Sequence, residues 1–326
     1  MLTGILFALC AGLMWGLVFV GPLLIPEYPA ALQSTGRYLA FGLIALPLAW
    51  LDRRRLRRLT RRDWWEATKL TAVGNLLYYF FLASAIQRTG APVSTMIIGT
   101  LPVVIAVTAN LLYGKRDGRV LWRQLIPALA LIAIGLICVN IAELSALAMT
   151  RDNIWRYAGG IMLAFGSVIC WTWYPLRNAH WLREHTYSNP TTWATAQGVV
   201  TLPLALLGYL LVCGQLAFTQ QTFTLPFGPR PEVFIPLMIA IGLFCSWLGT
   251  LCWNSASKRL PTVLIGPLIV FETLAALSYA FILRQTWPPL LTLGGVCCLV
   301  IGVIYAVRIK PRPVVVPLSV SLPSGK

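Results

Sequence analysis

Ten acidic residues occur in this 326-residue chain, and nine of them fall in polar connections or within a turn or two of the end of an apolar stretch. Glu272 alone lies deep. It is twelve residues into the apolar stretch 260–283, which at the rise of an α-helix places it roughly 18 Å from the nearer end. A carboxylate in hydrocarbon costs several kcal/mol unless it is paired, hydrated or protonated, so this residue is a functional candidate. It could hold a substrate ammonium group or take up a proton in antiport. The alternative is a neutral acid hydrogen-bonded between helices and holding them in register.

Other polar side chains recur at helical spacing. Asn75, Tyr78 and Tyr79 stand at i, i+3 and i+4, one stripe of amide and phenol groups. Ser246, Thr250, Trp253 and Asn254 form a second stripe, and an offset of 171 carries Asn75 onto Ser246 and Tyr79 onto Thr250. Such groups give a small polar ligand both donors and acceptors, or they bind helices to one another. Trp15 and Trp171 share a position at an offset of 156, with Tyr174 one turn beyond Trp171. Both indoles sit too deep for interfacial anchors, the role expected of Trp50, Trp64, Trp65 and Trp181. Arg37 could meet a carboxylate or phosphate, or snorkel outward. Gly99, Pro102, Gly266 and Pro267 are hinge candidates, because proline removes an intrahelical hydrogen bond; close helix packing is the other reading. His180 and His185, beside Arg183 and Glu184, have no third ligand at metal spacing and read as solvated loop residues, so no metal site and no cofactor is expected.

The elements that must position these groups are apolar. The chain is 58% hydrophobic and 11% charged, with a mean hydropathy of +0.74, beyond what a water-soluble chain of this length tolerates. Stretches long enough to cross roughly 30 Å of hydrocarbon are predicted at 2–24, 30–51, 65–86, 91–113, 121–141, 157–177, 190–213, 233–255, 260–283 and 287–307. The start, Met1-Leu2-Thr3-Gly4, lacks a basic leader region, so the first stretch is expected to remain as a span. All eight cysteines fall inside predicted spans without metal-ligand spacing and read as buried, inert thiols.

The net charge of +16 is distributed for a membrane and not for nucleic acid. With the N-terminus inside, nineteen of the 26 basic residues occupy inner loops and the tail, seven of them between Arg53 and Arg62. Both termini are therefore expected in the cytoplasm, with acidic lipid a secondary contact of the arginine run. The first half also echoes in the second. Gly4-Ile5 falls on Gly160-Ile161 and Leu46-Pro47-Leu48-Ala49 on Leu202-Pro203-Leu204-Ala205 at an offset of 156; Ile134-Gly135 falls on Ile301-Gly302 at 167. Ten spans in two copies of five force the second copy to be inverted in the bilayer, an arrangement that membrane carriers use. Residues 1–141 and 157–307 are the two expected repeats, and 308–326, rich in proline, an expected disordered cytoplasmic tail.

Gly12-Leu13-Met14-Trp15-Gly16, Gly36-Arg37-Tyr38, Thr100-Leu101-Pro102 and Phe271-Glu272-Thr273 resemble the drug/metabolite transporter superfamily in its EamA branch. Cys252-Trp253-Asn254 is similar to a stretch of aromatic amino acid exporters in that branch. The resemblance implies an all-α membrane protein of ten transmembrane helices in two inverted five-helix EamA repeats. It also implies a multi-pass place in a bacterial inner membrane and export of small metabolites such as amino acids or their analogues. Two departures stand out: the branch commonly has Glu-Pro where this chain has Glu272-Thr273, and Gly-Glu where it has Gly114-Lys115.

A carrier is the reading these features favour, with a small-molecule substrate, the lipid bilayer and protons as partners. A flippase for lipid-linked substrates is the alternative within the same fold. An enzyme would need nucleophile and base constellations that one deep carboxylate and no deep histidine do not supply. Substrate identity, transport direction and oligomeric state are not written in the residues.

Overall fold

A computed structural model describes residues 1–19, 24–89, 97–113, 120–144, 154–185, 189–219, 223–285 and 287–309. The described residues are helical, with no strand among them. In chain order the helices are α1 (Leu2–Gly16), α2 (Ala30–Leu51), α3 (Arg53–Leu56), α4 (Arg61–Thr71), α5 (Tyr78–Thr89), α6 (Leu101–Leu112), α7 (Trp122–Leu144), α8 (Ile154–Glu184), α9 (Pro190–Thr219), α10 (Pro231–Ile241), α11 (Gly249–Arg259), α12 (Ile265–Arg284) and α13 (Leu290–Arg308). A π-helical segment, Ala72–Leu77, joins α4 to α5, and another, Gly242–Leu248, joins α10 to α11.

Seven of these helical runs are long and apolar enough to cross a membrane: Arg61–Ile86, Trp122–Val139, Trp155–Glu184, Pro190–Thr219, Pro231–Arg259, Thr262–Leu283 and Leu290–Arg308. Leu2–Gly16 and Leu101–Leu112 are apolar but shorter, and their expected continuations through 20–23 and 90–96 lie outside the described residues. All but the first two residues of the expected tail lie outside them as well. Large apolar side chains point outward along these helices, among them Phe80, Met162, Ile169, Leu211, Phe218 and Ile301. Such a surface is matched by lipid and not by water.

Local chemistry explains several boundaries. At the start of α4 the Thr60 hydroxyl accepts the Asp63 N–H at 3.3 Å, and the Asp63 carboxylate accepts the Thr60 N–H at 2.7 Å. This reciprocal cap begins the helix four residues before the predicted 65. Helix α8 runs to Glu184, seven residues past the predicted 177. Its charged last turns are satisfied by neighbours, since Arg177 pairs with Glu66 and Arg183 Nε donates to the Ser257 carbonyl at 3.1 Å.

The helices pair in a regular way. Helix α2 packs along α9, and α7 along α13. Helix α1 packs on α11 and α12, while α8 packs on α5 and α6. The main core cluster gathers α1, α6, α11 and α12, including Ala8, Ala11, Ile105, Leu264 and Leu268. Close approach there depends on small residues: a Cβ at Gly12 would come within 3.1 Å of the Glu272 backbone nitrogen.

Candidate functional site

Each polar stripe begins in a π-helical segment and continues into the α-helix that follows, Tyr78 and Tyr79 on α5 and Thr250, Trp253 and Asn254 on α11. Asn75 lies within Ala72–Leu77 and Ser246 within Gly242–Leu248, positions related by the same offset of 171 seen in the sequence. A π-turn inserts a residue, widens the helix and loosens one backbone hydrogen bond, which is why such turns gather at functional sites. No apolar periodicity announces it.

Beside these segments stands an aromatic cluster. The Trp171 ring stacks on Tyr78 at 4.9 Å and on Tyr174 at 5.2 Å, and meets Trp15 edge-on at 6.1 Å. Trp15 in turn lies 5.1 Å from Trp253. Five rings from α1, α5, α8 and α11 thus come together, all of them expected from the sequence. Offset-stacked and edge-on pairs favour such geometry beyond their area burial. The Trp253 indole N–H is buried there with no acceptor among the described residues.

Two opposite charges share this wall. Arg37 on α2 donates from Nε to the Ser246 hydroxyl at 3.1 Å, and its guanidinium lies 4.8 Å from the centre of the Tyr38 ring. Glu272 on α12 is within electrostatic reach of Arg37, Tyr78 and Cys245. Among the described residues, however, the carboxylate has neither an ion pair nor a hydrogen-bond partner, and Arg37 has no acidic partner. Both side chains keep part of their surface accessible. The site therefore presents an anion, a cation, a hydroxyl and a set of ring faces, a combination suited to a small ligand with separated charges.

Other expected site residues have protein partners. The Tyr79 hydroxyl donates to the Ala30 carbonyl at the start of α2. Asn254 is fully buried in an amide network. Its side-chain carbonyl accepts from Asn178 at 2.8 Å, and the Asn178 carbonyl accepts from Trp193 Nε1 at 2.8 Å and Gln197 Nε2 at 3.1 Å. Tyr174 joins network to wall, stacking its ring on Trp171 while its hydroxyl donates to Gln197 at 3.1 Å. Thr250 is buried one turn from Ser246. Asn178, Trp193 and Gln197 are functional-site neighbours not expected from the sequence. Their signal was present: Tyr174 and Asn178, like Trp193 and Gln197, stand four apart on apolar helices.

The four hinge candidates sit at helix beginnings. Pro102 occupies the first turn of α6, where its missing N–H leaves no bond unmade. Gly99 precedes that helix in a turn, and Pro267 is the third residue of α12 after the 3-10 turn Thr262–Leu264. Gly266 packs directly on the backbone of Pro102 and Ala106, so any side chain there would displace α6. Gly266 is closely packed, and the helical residues 97–98 are separated from α6 by the turn at Gly99 and Thr100, just before Pro102.

Two further expectations are corrected. Trp181 is no interfacial anchor: it is 1% exposed, stacked on His185 at 3.9 Å and on Trp193 at 6.2 Å. His180 is inside α8, 5.5 Å from the Tyr113 ring and 3.2 Å from the Glu184 carboxylate, and not in a loop. Among the cysteines, Cys10 and Cys297 are exposed on helix surfaces whereas Cys170, Cys245 and Cys252 are buried. The described residues hold no cluster of His, Cys, Asp and Glu able to bind a metal.

Two groups of ion pairs join residues far apart in the chain. In one, Glu66, 2% exposed, pairs with Arg177 across α4 and α8 and with Lys69 at 2.6 Å. In the other, Arg230 pairs with Glu27 at 2.5 Å and donates from its backbone N–H to the Tyr28 hydroxyl at 2.8 Å. A backbone hydrogen bond at Glu27 itself, with Arg230 beside it, holds that carboxyl below its ordinary pKa.

Comparison with known proteins accords with this architecture. Residues 2–141 match the EamA-like transporter family. The chain is 66% identical over 313 residues to the inner membrane protein YtfF of Escherichia coli (strain K12), an alignment covering 96% of this chain and 97% of that protein. A solved crystal structure has the same fold, with a TM-score of 0.68 at 18% identity over 93% of this chain and 96% of the other. The chain belongs to the EamA family.

Proposed function

We propose that this EamA family member is a secondary transporter of the inner membrane, which moves a small zwitterionic metabolite such as an amino acid or analogue by alternating access. The observation that carries the reading is a pair of opposite charges beside the Trp171 cluster: Arg37, which holds only the Ser246 hydroxyl and the Tyr38 ring, and Glu272, which has no ion pair or hydrogen bond among the described residues. A partly buried charge without a counter-ion is held at a cost. A ligand that brings an anion to Arg37 and an ammonium to Glu272 repays that cost on binding, while its side chain lies on the rings. Proton coupling follows from the same carboxylate: a proton and a substrate ammonium compete for Glu272, which makes the reading one of antiport.

Ten spans in two inverted repeats, with both termini cytoplasmic, complete the proposal. What supports it is the correspondence of pairings. The offsets of the sequence echo carry α1 onto α8, α5 onto α11 and α6 onto α12, and the partners of α1 are the counterparts of the partners of α8. The π-helical segments correspond in the same way. The site then lies between the halves, and the Glu66–Arg177 and Glu27–Arg230 pairs are the closures of its two ends.

The test is ligand binding to the purified full-length protein. Thermal stabilisation by a panel of amino acids is compared with stabilisation by the corresponding amino amides, which lack the carboxylate, and the N-acetyl derivatives, which lack the ammonium. The reading expects a zwitterion to stabilise the protein and both derivatives to fail. Arg37→Gln should then abolish the preference for zwitterion over amide, and Glu272→Gln the preference over the N-acetyl compound. Equal stabilisation by all three forms would contradict it.

A further inference from the structure

The chain turns sharply between α2 and α4, and the turn is strongly basic. Asp52 ends α2, the single-turn helix α3 follows, and the Thr60 cap starts α4. Within this turn Leu56 and Leu59 are buried against Ala67, Leu70 and Trp181, while Arg53, Arg54, Arg55, Arg57 and Arg58 are exposed. A groove of about 320 Å³ opens beside it, lined by Ala49, Arg53, Leu56, Arg57, Leu59 and Trp64. Its walls are thus two guanidinium groups over an aliphatic floor with one indole edge. Arg53 is held in place, its Nη1 donating to the Trp50 carbonyl at 2.9 Å and its guanidinium 4.8 Å from the Trp50 ring centre. Trp50 and Trp65 flank the turn with 66% and 64% of their surfaces exposed.

The geometry points to this groove as a seat for the headgroup of an anionic phospholipid, an assignment that rests on the membrane reading above. A phosphodiester matches two guanidinium groups. The glycerol and first methylenes match the aliphatic floor, and exposed indoles beside arginine are the side chains that favour the headgroup level. A soluble phosphate would use the arginines but leave Trp50, Trp65 and the floor without a purpose. The site is separate from the Arg37–Glu272 centre, sharing no residue with it.

Native mass spectrometry and thermal melting of the detergent-purified full-length protein test the assignment, with phosphatidylglycerol, phosphatidylcholine and glycerol 3-phosphate as probes. Phosphatidylglycerol should bind saturably and raise the melting temperature, and phosphatidylcholine should not. Arg53→Gln with Arg57→Gln should weaken the apparent affinity about thirty-fold, the factor that two lost arginine–headgroup contacts remove. Arg123→Gln with Arg308→Gln removes the same charge from exposed positions on α7 and α13 and should leave binding unchanged. Equal weakening by both double variants would reduce the effect to net charge and overturn the site. Saturation and competition by glycerol 3-phosphate alone would make it a soluble-phosphate seat and overturn the lipid assignment, as would an absence of any shift. Should the Arg53 and Arg57 double variant fail to fold, Arg57→Gln alone, an exposed side chain, carries the comparison. None of these outcomes depends on transport, so failure here leaves the proposed function standing.

Discussion

Two polar regions lie side by side in the middle of this molecule, and they are built on opposite principles. Around Asn178 every amide has an answer. Its carbonyl accepts from Trp193 and Gln197, its amino group donates to Asn254, and Gln197 accepts from Tyr174. Around Trp171 the strongest polar groups are left open among the described residues, with Glu272 unpartnered, Arg37 holding only a hydroxyl and a ring, and the Trp253 N–H unanswered. A satisfied buried network rigidifies and specifies a fold, whereas a group left unsatisfied at a cost signals a partner that arrives later. Residue type does not distinguish the two regions, because amides, phenols and indoles occur in both. Only the pairing does.

The comparison is broken most severely at Asn178. Asn178→Leu strands the donors of Trp193 and Gln197 and the carbonyl of Asn254. At about 1–3 kcal/mol for each unsatisfied group, the expected result is loss of the folded protein, or a melting temperature lowered by many degrees. Retention of the wild-type melting curve would show that the network is dispensable. Next in size is Glu66→Gln, which leaves Arg177 and Lys69 without their shared carboxylate. Breaking a buried pair costs about 3 kcal/mol; here Arg177 is 29% exposed, so somewhat less is expected, read as a lower melting temperature. A further loss of stability in the Glu66→Gln Arg177→Gln double variant, equal to the sum of the singles, would deny the coupling.

The exposed Glu27–Arg230 pair should matter least. Because the folded-state pKa of Glu27 is lowered, its pairing contributes stability above the unfolded carboxylate value and loses it as pH falls through the folded one. Glu27→Gln should therefore leave stability at neutral pH nearly unchanged, since exposed pairs contribute little, and should flatten the part of the acid dependence that Glu27 supplies. A large fall at neutral pH would make this pair as important as the buried one.

How much of this was legible in the sequence differs between the two regions. The bounds of α2 follow from hydropathy alone, and the aromatic wall follows from the 156-residue echo and helical spacing. Hydropathy ends α8 too early because Arg177 and Arg183 look like loop residues until Glu66 and Ser257 are brought beside them by tertiary packing. For the same reason Trp181, read as an interfacial ring, is buried. Pro102 and Pro267 suggest kinks within a span; both lie in the first turn of a helix, Pro102 just after the turn at Gly99 and Thr100 that follows the helical residues 97–98. The π-helical segments left no mark, since one extra residue in a turn does not alter which residues are apolar. Asn254 and Ser246 look alike in the sequence and differ only in their partners, Asn254 accepting from Asn178 in the amide network and Ser246 from Arg37.

The most direct test of this division is Glu272→Gln, measured for stability and for transport in the same preparation. The substitution keeps the shape of the side chain and removes the charge and the exchangeable proton. Since no partner is lost, the account predicts an unchanged or higher melting temperature, together with loss of pH-gradient-driven accumulation of the zwitterion in proteoliposomes. A melting temperature lowered as far as that of Asn178→Leu, with driven transport intact, would place Glu272 in the scaffold and contradict the account.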